Sequence, residues 1–170
     1  MVSVLATATA AAGLAVAVAS ADGGGSVTVR QSSSDLWATV NICHGKLNPP
    51  KMGIRAEMPV GSSDERPYMR FRAQFKRNGH WHYVDKGADS GWRSAYSGPF
   101  MSEQLGWTFK FKEPLAGQSF LMRGVVRFKW TQGGQVVRRA TRVTTGGHPT
   151  GDAKHSVSLA HCRIVGPAGQ

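Results

Sequence analysis

The chain has 170 residues, with 21 Lys or Arg against 10 Asp or Glu and a formal net charge of +11. That length suits one domain. No second apolar run follows the first 21 residues, so no further membrane-spanning helix is expected.

Residues 1–21, MVSVLATATAAAGLAVAVASA, carry no charged side chain and end in Ala19-Ser20-Ala21. Small residues at those positions are what a signal peptidase accepts, so this segment reads as a signal peptide. It lacks the usual basic start. The alternative is a retained anchor helix, but an Ala-rich run with little Leu or Ile spans a bilayer poorly. Residues 22–34 form a flexible lead-in, 35–165 the folded domain, and 166–170 a short tail.

Strand signals then follow one another. LWATVNIC (36–43) puts Leu36, Ala38, Val40 and Ile42 on one face, and Asn48-Pro49-Pro50 breaks the run. Residues 52–58 align Met52, Ile54, Ala56 and Met58. YMRFRAQFK (68–76) alternates most cleanly, with Met69, Phe71, Ala73 and Phe75 inward and Arg70, Arg72, Gln74 and Lys76 outward. Asn78-Gly79 predicts a tight hairpin turn, because both residues tolerate positive φ, and His80–Val84 is the return strand. Residues 86–98 are rich in Gly and Ser and read as a loop anchored by Trp92 and Tyr96. Trp107, Phe109 and Phe111 share the next strand face, opposite Thr108, Lys110 and Lys112. SFLMRGVVRFKW (119–130) places Phe120, Met122, Val126, Phe128 and Trp130 together, with Leu121, Arg123, Val125, Arg127 and Lys129 opposite. Gln132-Gly133-Gly134 predicts a second hairpin, returning over 135–143. After a loop, 156–164 reads as the last strand.

This is an all-β pattern of eight or nine strands, with no amphipathic helical period after residue 22. Short strands at this spacing make a sandwich or a barrel, and the sandwich is favoured. Cys43 and Cys162 are the two cysteines. In an exported chain an even count reads as a disulfide, tying an early strand to the last one. A loop of about 120 residues would be closed, worth on the order of 4–5 kcal/mol in the chain-entropy account. A thiol nucleophile is the weaker reading. His44 and His161 adjoin the cysteines, but neighbours on a strand point to opposite faces.

The strands FLMRGVVRFKW and QVVRRATRVTT, joined by TQGG, resemble the late hairpin of immunoglobulin-like and fibronectin-like modules in exported bacterial proteins. LWATVNIC, IRAEMP and YMRFRAQF look like the matching early strands. The chain is similar in this strand order and its paired cysteines to exported proteins of actinobacterial type. The resemblance implies a single immunoglobulin-like antiparallel β-sandwich in an extracellular setting, and no shared catalytic residues. Two features depart from antibody-type domains: Trp37 precedes the first Cys, and the second Cys lies on the terminal strand.

No catalytic, metal or cofactor motif stands out. Asp89-Ser90-Gly91 lacks the flanking glycines of a serine-protease nucleophile turn. His80 and His82 share a strand face but have no obvious third ligand. Glu57, Glu65, Glu103 and Glu113 have no spacing that demands a glycosidase pair. No Gly-rich phosphate loop joins a strand to a helix, and no specific nucleic-acid motif is present.

The outward faces remain. Arg70, Arg72 and Lys76 share one, Lys110 and Lys112 another, and Arg123, Arg127 and Lys129 a third. If two of these strands are neighbours, the cations merge into an anion-binding patch. Trp81, Tyr83, Trp92 and Tyr96 are candidate aromatic contacts for sugars or bases. The expectation is a secreted, non-catalytic binding or structural module. Its candidate partners are anionic cell-wall polymer and acidic polysaccharide. The alternatives are a small secreted hydrolase of wall polymer or polysaccharide, and an inhibitor presenting residues 86–98.

Overall fold

The computed structural model describes residues 36–96, 98, 101–149 and 157–168. The expected signal peptide and the 22–34 lead-in lie outside these residues. The described chain contains no helix. Its strands are β1 (Trp37–His44), β2 (Lys51–Pro59), β3 (Arg66–Arg77), β4 (His80–Tyr83), β5 (Asp89–Ser94), β6 (Ser102–Lys110), β7 (Ser119–Gln132), β8 (Gln135–Val143) and β9 (Cys162–Val165).

They form two antiparallel sheets. One has the order β1-β2-β6. The other has β4-β3-β7-β8, with β5 also on β3 and β9 also on β7. These are the A-B-E and C′-C-F-G orders of immunoglobulin-like sandwiches. The inward residues of both sheets meet in one core. Met52, Ile54, Ala56 and Met58 of β2 face Met69, Phe71 and Ala73 of β3 and Met122, Val126, Phe128 and Trp130 of β7. Trp130 satisfies its buried indole N–H by donating to the Pro59 carbonyl across the sandwich at 2.6 Å.

The second sheet is organised by its two long strands. β3 has 12 residues, but β4 pairs only with Gln74–Arg77, and this would leave the rest of that edge bare. Within the expected 86–98 loop, Asp89–Ser94 is instead strand β5, which pairs with Tyr68–Arg72 on the same edge. Its composition, DSGWRS, has little β propensity. The unpaired backbone of β3 recruits it, and Gly91 at φ 65° allows the bulge opposite Phe71. β7, with 14 residues, is treated alike: β8 pairs with Val125–Gln132 and β9 with Ser119–Met122.

The expected last strand, 156–164, is divided. Val40 and Leu159 exchange backbone hydrogen bonds of 2.9 and 3.0 Å at the edge of the first sheet, whereas Cys162–Val165 joins the second. Turning from one sheet to the other interrupts the period that a single strand would show. The Cys43–Cys162 disulfide therefore links β1 to β9, from one sheet to the other. Both hairpins form where expected, with Asn78 and Gly79 at φ 49° and 80°, and Gly133 and Gly134 at 55° and 81°.

Candidate functional site

The pairing of β3 with β7 decides where the outward cations lie. Arg70 is directly opposite Arg127, Tyr68 opposite Lys129, Arg72 opposite Val125 and Gln74 opposite Arg123. Paired residues share a face, so the two cationic rows are one. On the far side of β7, Lys129 faces Arg139 and Arg127 faces Thr141 of β8. On the near side, Trp92 of β5 pairs with Arg70, and Trp81 and Tyr83 of β4 pair with Lys76 and Gln74. Arg70, Arg72, Lys76, Arg123, Arg127 and Lys129 thus gather with Trp81, Tyr83 and Trp92 on the outer face of a single sheet. Lys110 does not join them: it is on β6 of the other sheet, opposite Lys51. Tyr96 sits just past β5, with the Arg66 guanidinium over its ring at 4.3 Å.

The aromatic rings are occupied by the protein's own cations. Arg72 lies over Tyr83 at 3.7 Å, Arg123 over Trp81 at 4.2 Å, and Lys129 over both Tyr68 and Trp92 at 4.5 and 4.6 Å. The His161 imidazole stacks on Trp81, with centroids 5.4 Å apart and planes within 7°. Rings used this way hold cations in place rather than offering bare platforms for sugars or bases. Val125 also alternates outward, yet it is only 3% exposed. It lies among the stems of Arg72, Arg123 and Arg127.

No protein-family model and no curated protein matches this sequence significantly. The face is therefore read from its own chemistry.

Among the described residues, Asp89 is the carboxylate ion-paired with these cations. Arg70 donates to it twice, Nε to Oδ1 at 2.8 Å and Nη2 to Oδ2 at 2.5 Å, and Arg72 Nε approaches Oδ2 at 3.3 Å. The Arg70 hydrogen bond holds the Asp89 carboxyl below the usual carboxylate range and raises the Arg70 guanidinium in turn. Desolvation lowers Arg123, which donates through Nε to Gln74 Oε1 at 2.8 Å. Desolvation also lowers His161, helped by the neighbouring charges of Arg123 and Lys76, which favour the neutral imidazole. Arg70 against Arg127 and Lys129 against Arg139 are like-charge pairs across the sheet, a mildly unfavourable arrangement. Asp89 relieves the first pair, and the rings of Tyr68 and Trp92 hold Lys129 in the second.

Ser90 beside Asp89 is committed to structure. Its hydroxyl accepts from the Phe71 N–H at 2.9 Å and donates to the Gly91 carbonyl at 2.7 Å. Among the described residues, no three His, Cys, Asp or Glu side chains gather as a metal site requires.

Sequence reasoning missed Tyr68, Asp89, Arg139, Thr141 and His161. Tyr68 was within reach, since it alternates with Arg70. Arg139 was not. The β7–β8 register shifts between Trp130 and Thr131, so Arg138 pairs with Trp130 and Arg139 with Lys129. Without that extra residue Arg138 would stand opposite Lys129. Arg138 instead covers the Trp130 ring at 4.0 Å and reaches Glu65 at 3.3 Å.

Proposed function

We propose that this protein is an exported, non-catalytic module that holds an anionic extracellular polymer, of the cell wall or an acidic polysaccharide, against the outer face of the β4-β3-β7-β8 sheet. The observation that carries this reading is the β3–β7 register, which sets Arg70 against Arg127 and joins two cationic rows into one. A sheet tolerates like charges opposite one another at a cost in stability, and a polyanion lying across the face offsets that cost. The exported placement is supported by the Cys43–Cys162 bridge, since disulfides persist in oxidising compartments.

The test is binding of the purified protein to wall teichoic acid, heparin, duplex DNA and anionic liposomes, with neutral glycans as controls, across a salt titration. One polymer should remain bound at physiological salt, and the slope of affinity against salt reports the ionic contacts it makes. Reversing two outward charges together, Arg127→Glu with Lys129→Glu, should weaken that binding by about tenfold or more. Unchanged affinity in the reversed protein would remove the cationic face from the function. Weak binding to every polyanion, vanishing with salt, would reduce the charge to a general surface property.

A further inference from the structure

Within the outer face lies a hollow of about 180 Å³ lined by Trp92, Arg127, Phe128, Arg139, Ala140 and Thr141. Its polar members come from two strands. Thr141 stands directly opposite Arg127, and Arg139 is one outward position along β8. Arg127, Arg139 and Thr141 are all exposed, and neither arginine makes an ion pair among the described residues. Trp92 forms the apolar wall, and its ring carries the Lys129 ammonium at 4.6 Å, which adds positive charge at the rim.

We propose that this hollow seats one tetrahedral oxyanion, a phosphate or sulfate ester group carried by the bound polymer. The inference rests on the polyanion reading above and narrows it. Two arginines and a threonine line the space from three backbone positions on two strands. That arrangement suits an anion with oxygens on several sides better than a carboxylate, which presents its two oxygens along one edge. The apolar wall of Trp92 excludes water from one flank and strengthens the ionic contacts there. Because the Trp92 ring is taken up by Lys129, recognition falls on the anionic group rather than on a stacked sugar or base. Arg127 and Arg139 thereby do the binding that the aromatic set was expected to do.

Binding of the full chain to labelled inorganic polyphosphate, dextran sulfate and polygalacturonate, followed by fluorescence anisotropy at physiological salt, tests this. The first two polymers distinguish a phosphate source from a sulfate source, and the third supplies carboxylate alone. Arg139→Gln should cost about tenfold on polyphosphate, dextran sulfate or both. Thr141→Val should cost a smaller factor on the same polymer. Lys110→Gln removes the same charge from the other sheet and should cost little. The seat is overturned if Arg139→Gln and Lys110→Gln weaken binding equally, or if polygalacturonate is bound best and loses as much to Arg139→Gln. Failure of the unaltered protein to bind any polymer would instead overturn the function on which the seat rests. All three substituted side chains are exposed, so folding is retained, and a thermal melt of each variant verifies it.

Discussion

At the scale of single residues, Asp89 controls how much of the cationic face is free. It holds Arg70 by a two-point hydrogen bond and draws in Arg72, so the centre of the face is partly neutralised while Arg127, Lys129 and Arg139 are not. Replacing Asp89 with Asn should therefore raise polyanion affinity while lowering stability by roughly 0.5–1 kcal/mol, the range of a well-formed surface ion pair. The pH dependence follows from the sign of its shift. The folded-state carboxyl is more acidic than the unfolded one, so its stabilisation is complete above the unfolded value near 4 and is lost as pH falls through the lower folded value. Melting curves of the wild type and Asp89→Asn should differ at pH 7 and converge as the solution is taken toward pH 2. A difference that persisted undiminished in acid would show that the Asn substitution acts through something other than the lost charge.

At the scale of elements, short strands complete long ones. β5 and β4 lie end to end on one edge of β3, and β8 and β9 do the same on β7. Gly124 sits at the junction on β7. Thr144 closes the gap there: its backbone N–H donates to the Gly124 carbonyl at 3.0 Å, its hydroxyl accepts from the Gly124 N–H at 3.0 Å, and that hydroxyl donates to the Ala160 carbonyl at 2.6 Å. A methyl group at Gly124 would fall 2.6 Å from Ile54 Cδ1 of the opposite sheet and 2.7 Å from Thr144 Cγ2. Gly124→Ala should destabilise the fold by about 1–3 kcal/mol, the usual cost of overpacking a filled core, as read by urea denaturation. It should also weaken polymer binding, because the strand that carries Arg123 and Arg127 would shift. Wild-type stability in the variant would mean that the sheets can part at this point without penalty.

At the scale of the whole molecule, the disulfide joins residues 119 apart in sequence and pins the first sheet to the second near one end. A cross-link over so long a loop restricts the unfolded chain strongly. Replacing both cysteines with Ala should cost about 2–5 kcal/mol. The melting temperature of the double variant should match that of the reduced wild type. If the double variant melted with the oxidised wild type, the bridge would be a passenger in a sandwich already held by its core. Inward residues such as Ile54, Phe71 and Phe128 are fully buried and supply core burial of their own, so the fold should form and merely be weaker.

Alternation in the sequence determined most of the strands and the inward and outward sets of β2, β3 and β7, because a half-buried strand writes its burial into every second residue, and Asn78-Gly79 and Gly133-Gly134 marked both hairpin turns. The cysteine count pointed to the bridge that the structure contains. Alternation is silent about partners across the sheet, since a strand has the same period whatever lies beside it. That β3 neighbours β7, that β5 is a strand at all, and that Arg139 rather than Arg138 joins Lys129 were decided by tertiary structure, through backbone hydrogen bonds that had to be satisfied along two long edges and through one extra residue in β8 that reverses its facing. The candidate site is made of residues visible one strand at a time, and its existence as a single face is a property of the register alone.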